Sequence, residues 1–203
     1  MANPPYWKIY CRWRRQREEL NFATLPETVS ASDLDLFAER YKLARAFKGV
    51  KLDGYSNDAA AAHCALLRAF LAYSALEQFH KAVESERGNI HLTKRWAAIA
   101  STPATELNGS DDIIQFLIKI VSSEKLKKNL TAFQKGDHDN VLIVATALRH
   151  AVAHGYMSFY PDKIPPKTVA AFCNHIAKML LTIADQSFIE LLESLSINFG
   201  PAE

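Results

Sequence analysis

The feature that most constrains this chain is a run of about thirty residues, Asn57 to Glu86, with neither glycine nor proline. Within it Leu66, Ala69, Phe70, Tyr73, Leu76 and Phe79 recur at three- and four-residue spacing, which winds them onto one helical face. A helix of that length must bury its apolar stripe against neighbours. The rest of the chain offers them, because its seven glycines and eight prolines fall mostly between other periodic segments.

Those segments predict further helices. The first runs over about Pro5–Phe22, with Tyr6, Tyr10 and Trp13 on one face. The second runs from a Ser32 cap, with Asp35 three residues on, to Phe47, ending at Gly49. Asn57 caps the long helix and Gly88 closes it. Shorter helices are expected over Asp111–Val121 and over Ser123–Phe133, the latter stopping at Gly136. Asn140 then caps Val141–His154, apolar nearly all round and so central, with Gly155 after it. The last helix runs over Lys167–Leu195, its inward stripe built from Val169, Phe172, Ile176, Met179, Ile183 and Leu191. Stretches 22–31 and 87–109 are expected to be irregular. No segment alternates with period two. The expectation is an all-α, up-and-down bundle of six or seven helices, organised around 57–86, 140–154 and 167–195.

At 203 residues and 49% hydrophobic, the chain suits one domain spanning 1–203, with an N-terminal helix over 1–22 and a core over 57–198. A formal net charge of +2 carries no global sign of a nucleic-acid binder. Cys11, Cys64 and Cys173 are odd in number and widely spaced, which fits a reducing cytoplasm rather than a disulfide framework. Cys64 and Cys173 fall in apolar stripes and read as inert thiols. The first residues do not resemble a secretion signal, and no uncharged apolar run reaches the roughly 18 residues of a membrane span. A cytoplasmic protein without membrane contact is expected.

Chemistry concentrates in Leu148-Arg149-His150-Ala151-Val152-Ala153-His154-Gly155-Tyr156. Charge inside an apolar helix is costly unless paired or used. Arg149 and His154 lie about 140° apart around an ideal helix. Gly155 permits the helix to end at His154 and re-aim the imidazole. An arginine fork can then neutralise a phosphate while an imidazole moves a proton. The bland alternative is a pair of cations bonding the last carbonyls of a helix.

Arg149-x4-His154 resembles the Rx4-6H motif of HEPN domains, all-helical domains among which many are RNA-cleaving toxins or defence effectors. With Tyr156 it is similar to the RxxxxHxY signature of HEPN toxins paired with nucleotidyltransferase antitoxins, in which the tyrosine receives nucleotide. Glu77, within Tyr73-Ser-Ala-Leu-Glu77, resembles the acidic residue that many such families set opposite the Arg-His pair. The likeness covers about residues 57–198. It implies metal-independent RNA cleavage, in which a 2′-hydroxyl attacks the adjacent phosphate to leave a 2′,3′-cyclic phosphate and a 5′-hydroxyl. It further implies His154 as general base or acid, Arg149 as stabiliser of the phosphorane and Glu77 as orienting group. No cofactor is implied. A homodimer with two Arg-His pairs in one cleft, and an antitoxin partner protein, follow from the same likeness. Many members carry Asn or Asp after the arginine where this chain has His150, so which histidine acts stays open. A non-catalytic interaction or nucleotide-binding module on the same fold is the alternative.

Two further groups draw notice. Arg12, Trp13, Arg14, Arg15 and Arg17 interleave an aromatic with cations before the first acid, Glu18, as single-stranded RNA binding requires. The competing explanation is an amphipathic helix with a docked aromatic face and a wet basic one. Lys125, Lys127 and Lys128, with Lys119 and Lys135 nearby, read as a solvated face diluted by Glu124. His150 and His154 have the i, i+4 spacing of a metal pair, with His80 or His175 as a third ligand. No HExxH or paired carboxylates accompany them, so no metal is expected.

Overall fold

A computed structural model describes residues 3–20, 25–83, 100–102, 107 and 110–197. Among them are seven α-helices and no strand: α1 Trp7–Glu19, α2 Ala31–Ala46, α3 Asn57–Val83, α4 Ser110–Ile120, α5 Glu124–Lys135, α6 Val141–Ala153 and α7 Pro166–Ser194. The protein is an all-α bundle. Among the described residues a single bridge, between Ser101 and Asn140, is the nearest approach to extended pairing.

The long apolar run becomes α3, 27 residues and about 40 Å at the usual rise per residue. By length and apolarity α3 would suffice to cross a membrane. Here it is the central strut, packed most extensively on α7 and next on α2. The helices α3 and α7 run the same way, since Lys167 faces Asp58 and Asn174 meets Arg68 near the start of both. Helix α2 runs against them, with Ser30 N–H donating to Ala82 O at 2.8 Å and Arg40 reaching Ser74. A second layer of α4, α5 and α6 closes over α3.

One aromatic hub ties α1, α2, α3 and α7. Phe188, fully buried, meets Trp7 at 5.6 Å, Tyr10 at 5.9 Å, Phe37 at 5.8 Å and Phe79 at 6.4 Å between ring centroids. Tilted and edge-on contacts of this kind add to the burial they already represent. Beside the hub, Tyr41 and Arg45 on α2 and Asp185 on α7 close a polar triangle: Arg45 Nε donates to the Tyr41 hydroxyl at 2.8 Å, and both side chains bond Asp185.

Several boundaries differ from the sequence expectation. The cap of α2 is Ser30, whose hydroxyl accepts from Asp33 N–H at 3.3 Å, and not Ser32. Two serines compete there, and Ser30 wins because its choice also places Asp33 against Lys81 and Gln78. That contact with Lys81 holds the Asp33 carboxyl below its usual range. Asn57 is the first residue of α3 and Ser56 caps it, accepting from Ala59 N–H at 3.3 Å. Gly88 lies outside the described residues. Asn140 caps α6 as expected, Ser123 caps α5 rather than starting it, and Gly136 and Gly155 follow α5 and α6 with φ of +79° and +71°. Burial pushes the Cys173 thiol up to about 12, which leaves it an inert core group.

Candidate active site at the end of α6

The end of α6 decides where the functional side chains go. Gly155 N–H donates to Val152 O at 3.1 Å and Tyr156 N–H to Ala151 O at 2.8 Å. This is the paired closure of a Schellman motif, which needs a left-handed residue and finds it in glycine. The chain therefore turns away at once, and His154 and Tyr156 emerge into solvent beyond the last turn, Tyr156 with 56% of its surface exposed.

One turn back, Arg149 Nη2 stands 3.9 Å from Glu77 Oε1 on α3. Both side chains are close to half exposed. At that separation the carboxylate aims the guanidinium without consuming its five donors, so the outer N–H groups stay available to an anion. A buried bond supports the pair. Thr146 donates its only hydroxyl proton to Leu142 O at 2.7 Å, so the 3.3 Å contact with Tyr73 has the phenol as donor. Burial raises the Tyr73 pKa, which keeps that proton in place. Tyr73 and Glu77 on α3 thus match Thr146 and Arg149 on α6, each pair one turn apart.

The histidines form a second unit. The His150 and His154 rings lie 4.3 Å apart at 53°, and His154 and Tyr156 lie 6.1 Å apart at 29°. Partial burial, then the neighbouring His154 and Arg149, hold His150 below the ordinary imidazole value. Charge on one imidazole thus disfavours charge on the other. The structure thus brings Glu77 to Arg149, and His150 to His154 and Tyr156, on one helix end. Sequence reading missed Tyr73 and Thr146 as supports. Their signal was the one-turn spacing of 73/77 (four residues) and 146/149 (three residues).

The N-terminal cations are elsewhere and are unequal. Arg14 Nη1 contacts both carboxylate oxygens of Asp35 at 3.1 Å and its Nε lies 3.4 Å from Glu18 Oε1, so Arg14 is an anchor between α1 and α2. Arg17 lies over the half-buried Trp13 ring at 5.3 Å, and Tyr10 beneath is fully buried. The aromatic face docks on the bundle. Arg12 and Arg15 point into water.

Among the described residues no group of three or more His, Cys, Asp or Glu side chains is placed to hold a metal, so His80 and His175 do not complete the His150–His154 pair. Compared with protein-family models, curated proteins and solved structures, the chain matches none.

Proposed function

We propose that this protein binds RNA and cleaves it without a metal, through Arg149 and the His150–His154 pair. The observation that carries the proposal is that one helix end holds both a guanidinium paired at 3.9 Å with Glu77 and two imidazoles in ring contact. Arg149 receives the scissile phosphate and offsets the charge that grows on it as the 2′-hydroxyl attacks. The attacking oxygen gives up its proton to a neutral imidazole. The phosphorus–O5′ bond breaks as the departing oxygen takes a proton from the second imidazole, leaving a 2′,3′-cyclic phosphate and a 5′-hydroxyl. His150, its pKa lowered, suits the acceptor, and the exposed His154 is left the role of donor. Glu77 positions Arg149, and Tyr156 is the exposed hydroxyl beside the site. The same reading makes the protein a cytoplasmic, toxin- or defence-type homodimer with an antitoxin partner, and gives Arg12 and Arg15 the secondary contacts to the phosphate backbone.

A non-catalytic RNA-binding or interaction module is favoured by one observation: the ion pair of Arg149 runs to Glu77, and no hydrogen bond joins Arg149 to His154 among the described residues. Labelled RNA incubated with the protein in EDTA separates the two. Cleavage is expected to persist in EDTA and to fall about 10²- to 10⁴-fold in His154→Ala. Arg149→Ala is expected to fall at least as far. RNA binding without cleavage in the wild type supports the module instead, and cleavage untouched by both substitutions removes the site.

A further inference from the structure

The connection from α6 to α7 carries a second aromatic group that the cleavage chemistry does not use. Phe159 packs on His63 of α3 with ring centroids 4.9 Å apart, and on Tyr55, just before α3, at 5.6 Å. Tyr55 meets His63 at 5.2 Å and nearly at right angles. The three rings fill the space between one another, so nothing can enter among them. Yet Tyr55 keeps 47% of its surface in water. A ligand must therefore lie on the outside of Tyr55, where it meets a braced ring.

Phe159, which braces that ring, follows the proposed site in the chain. Three chain links separate Tyr156 from Phe159, which holds their Cα atoms within about 11 Å of each other. His63 stands 14 residues before Glu77 on α3, about 21 Å along that helix, so the rings of Phe159, His63 and Tyr55 form a second aromatic group at a distance from Arg149 that an extended strand of a few nucleotides would span. The connection is also held in place. Asp162 and Lys163 adopt left-handed φ of 49° and 67°, and Lys119 Nζ bonds Asp162 Oδ2 at 2.6 Å. Lys163 and Lys167 add exposed cations at the same end, Lys167 only loosely held by Asp58 at 3.6 Å.

We infer that Tyr55, braced by His63 and Phe159, is a stacking subsite for an unpaired nucleobase of the bound RNA. The inference rests on the RNA-binding reading above and extends it to a named contact and a preference for unpaired strands. A flat π-face beside cations is what single-stranded nucleic acid binds, whereas a base inside a duplex has no free face to offer.

The test uses a fluorescent single-stranded 2′-O-methyl oligoribonucleotide, which lacks the attacking hydroxyl and is bound without being cut. The same strand annealed to its complement is the second probe. Tyr55→Ala is expected to weaken single-strand binding about five- to hundredfold and duplex binding hardly at all. Tyr55→Trp, which keeps a ring, is expected to restore it, so that a general folding defect is told apart by this rescue. Unchanged single-strand affinity in Tyr55→Ala, an equal loss for duplex, or no single-strand binding by the wild type each overturns the subsite. Parallel cleavage of unmodified RNA separates the two claims. Cleavage with Tyr55-independent affinity removes the subsite alone, and Tyr55-dependent binding without cleavage removes the nuclease alone.

Discussion

The Arg149–Glu77 pair, 3.9 Å from Nη2 to Oε1, joins the last turns of α6 to the last third of α3 while leaving both groups close to half exposed. Such a pair contributes at most about 1 kcal/mol to folding. Its value is in aiming the guanidinium. Glu77→Gln is therefore expected to move the Tm of the chain by no more than about 4 °C and to lower kcat for RNA cleavage. Thermal unfolding and initial rates read the two effects separately. A large loss of Tm with an unchanged kcat makes Glu77 a structural residue.

The His150 pKa has a consequence for acid stability. Its folded value lies below the unfolded one, so the unfolded chain binds the proton more readily. Above about pH 6.5 the residue is neutral in both states and costs nothing. As pH falls from there toward the depressed folded value, stability drains away. His150→Gln removes that linkage, and its Tm is expected to fall less steeply than that of the wild type across this window. Parallel Tm–pH curves for the two proteins refute the assignment.

Phe188 is the place where the fold is most exposed to a single change. It is fully buried and touches rings from α1, α2 and α3. Phe188→Ala is expected to cost about 3–5 kcal/mol by chemical denaturation, because a hub of rigid rings cannot collapse into the void. Trp7, which packs on Phe188, is expected to shift its emission to the red as α1 loosens. A loss below about 1 kcal/mol contradicts the hub.

What was legible in the sequence follows from the range of each interaction. Helix periodicity and glycine stops are local, so α3, α6 and the break at Gly155 could be read directly. The choice of Ser30 over Ser32 could not, because it depends on Lys81 and Gln78 from the far end of α3. Arg14 is the same case: its position in a basic run says nothing of Asp35, which reaches it from another helix. At the proposed site, the spacing showed Arg149 and His154 on different faces. It did not show that Glu77 would take the guanidinium, or that His150 would lie against His154.

Gly155 tests whether helix termination itself makes the site, and Gly136 is its control. Both close a helix with left-handed φ, and at neither would an added Cβ meet anything within 4 Å. Alanine at either position thus incurs conformational strain without a clash, on the order of 1–2 kcal/mol. Gly155→Ala and Gly136→Ala are accordingly expected to lower stability by similar amounts. Only the first relieves its strain by shifting the backbone that aims His154 and Tyr156, so only Gly155→Ala is expected to reduce cleavage beyond the fraction unfolded. Denaturation curves with cleavage rates for both variants make the comparison. Equal losses of activity in the two would mean that the turn after α6 serves the fold alone.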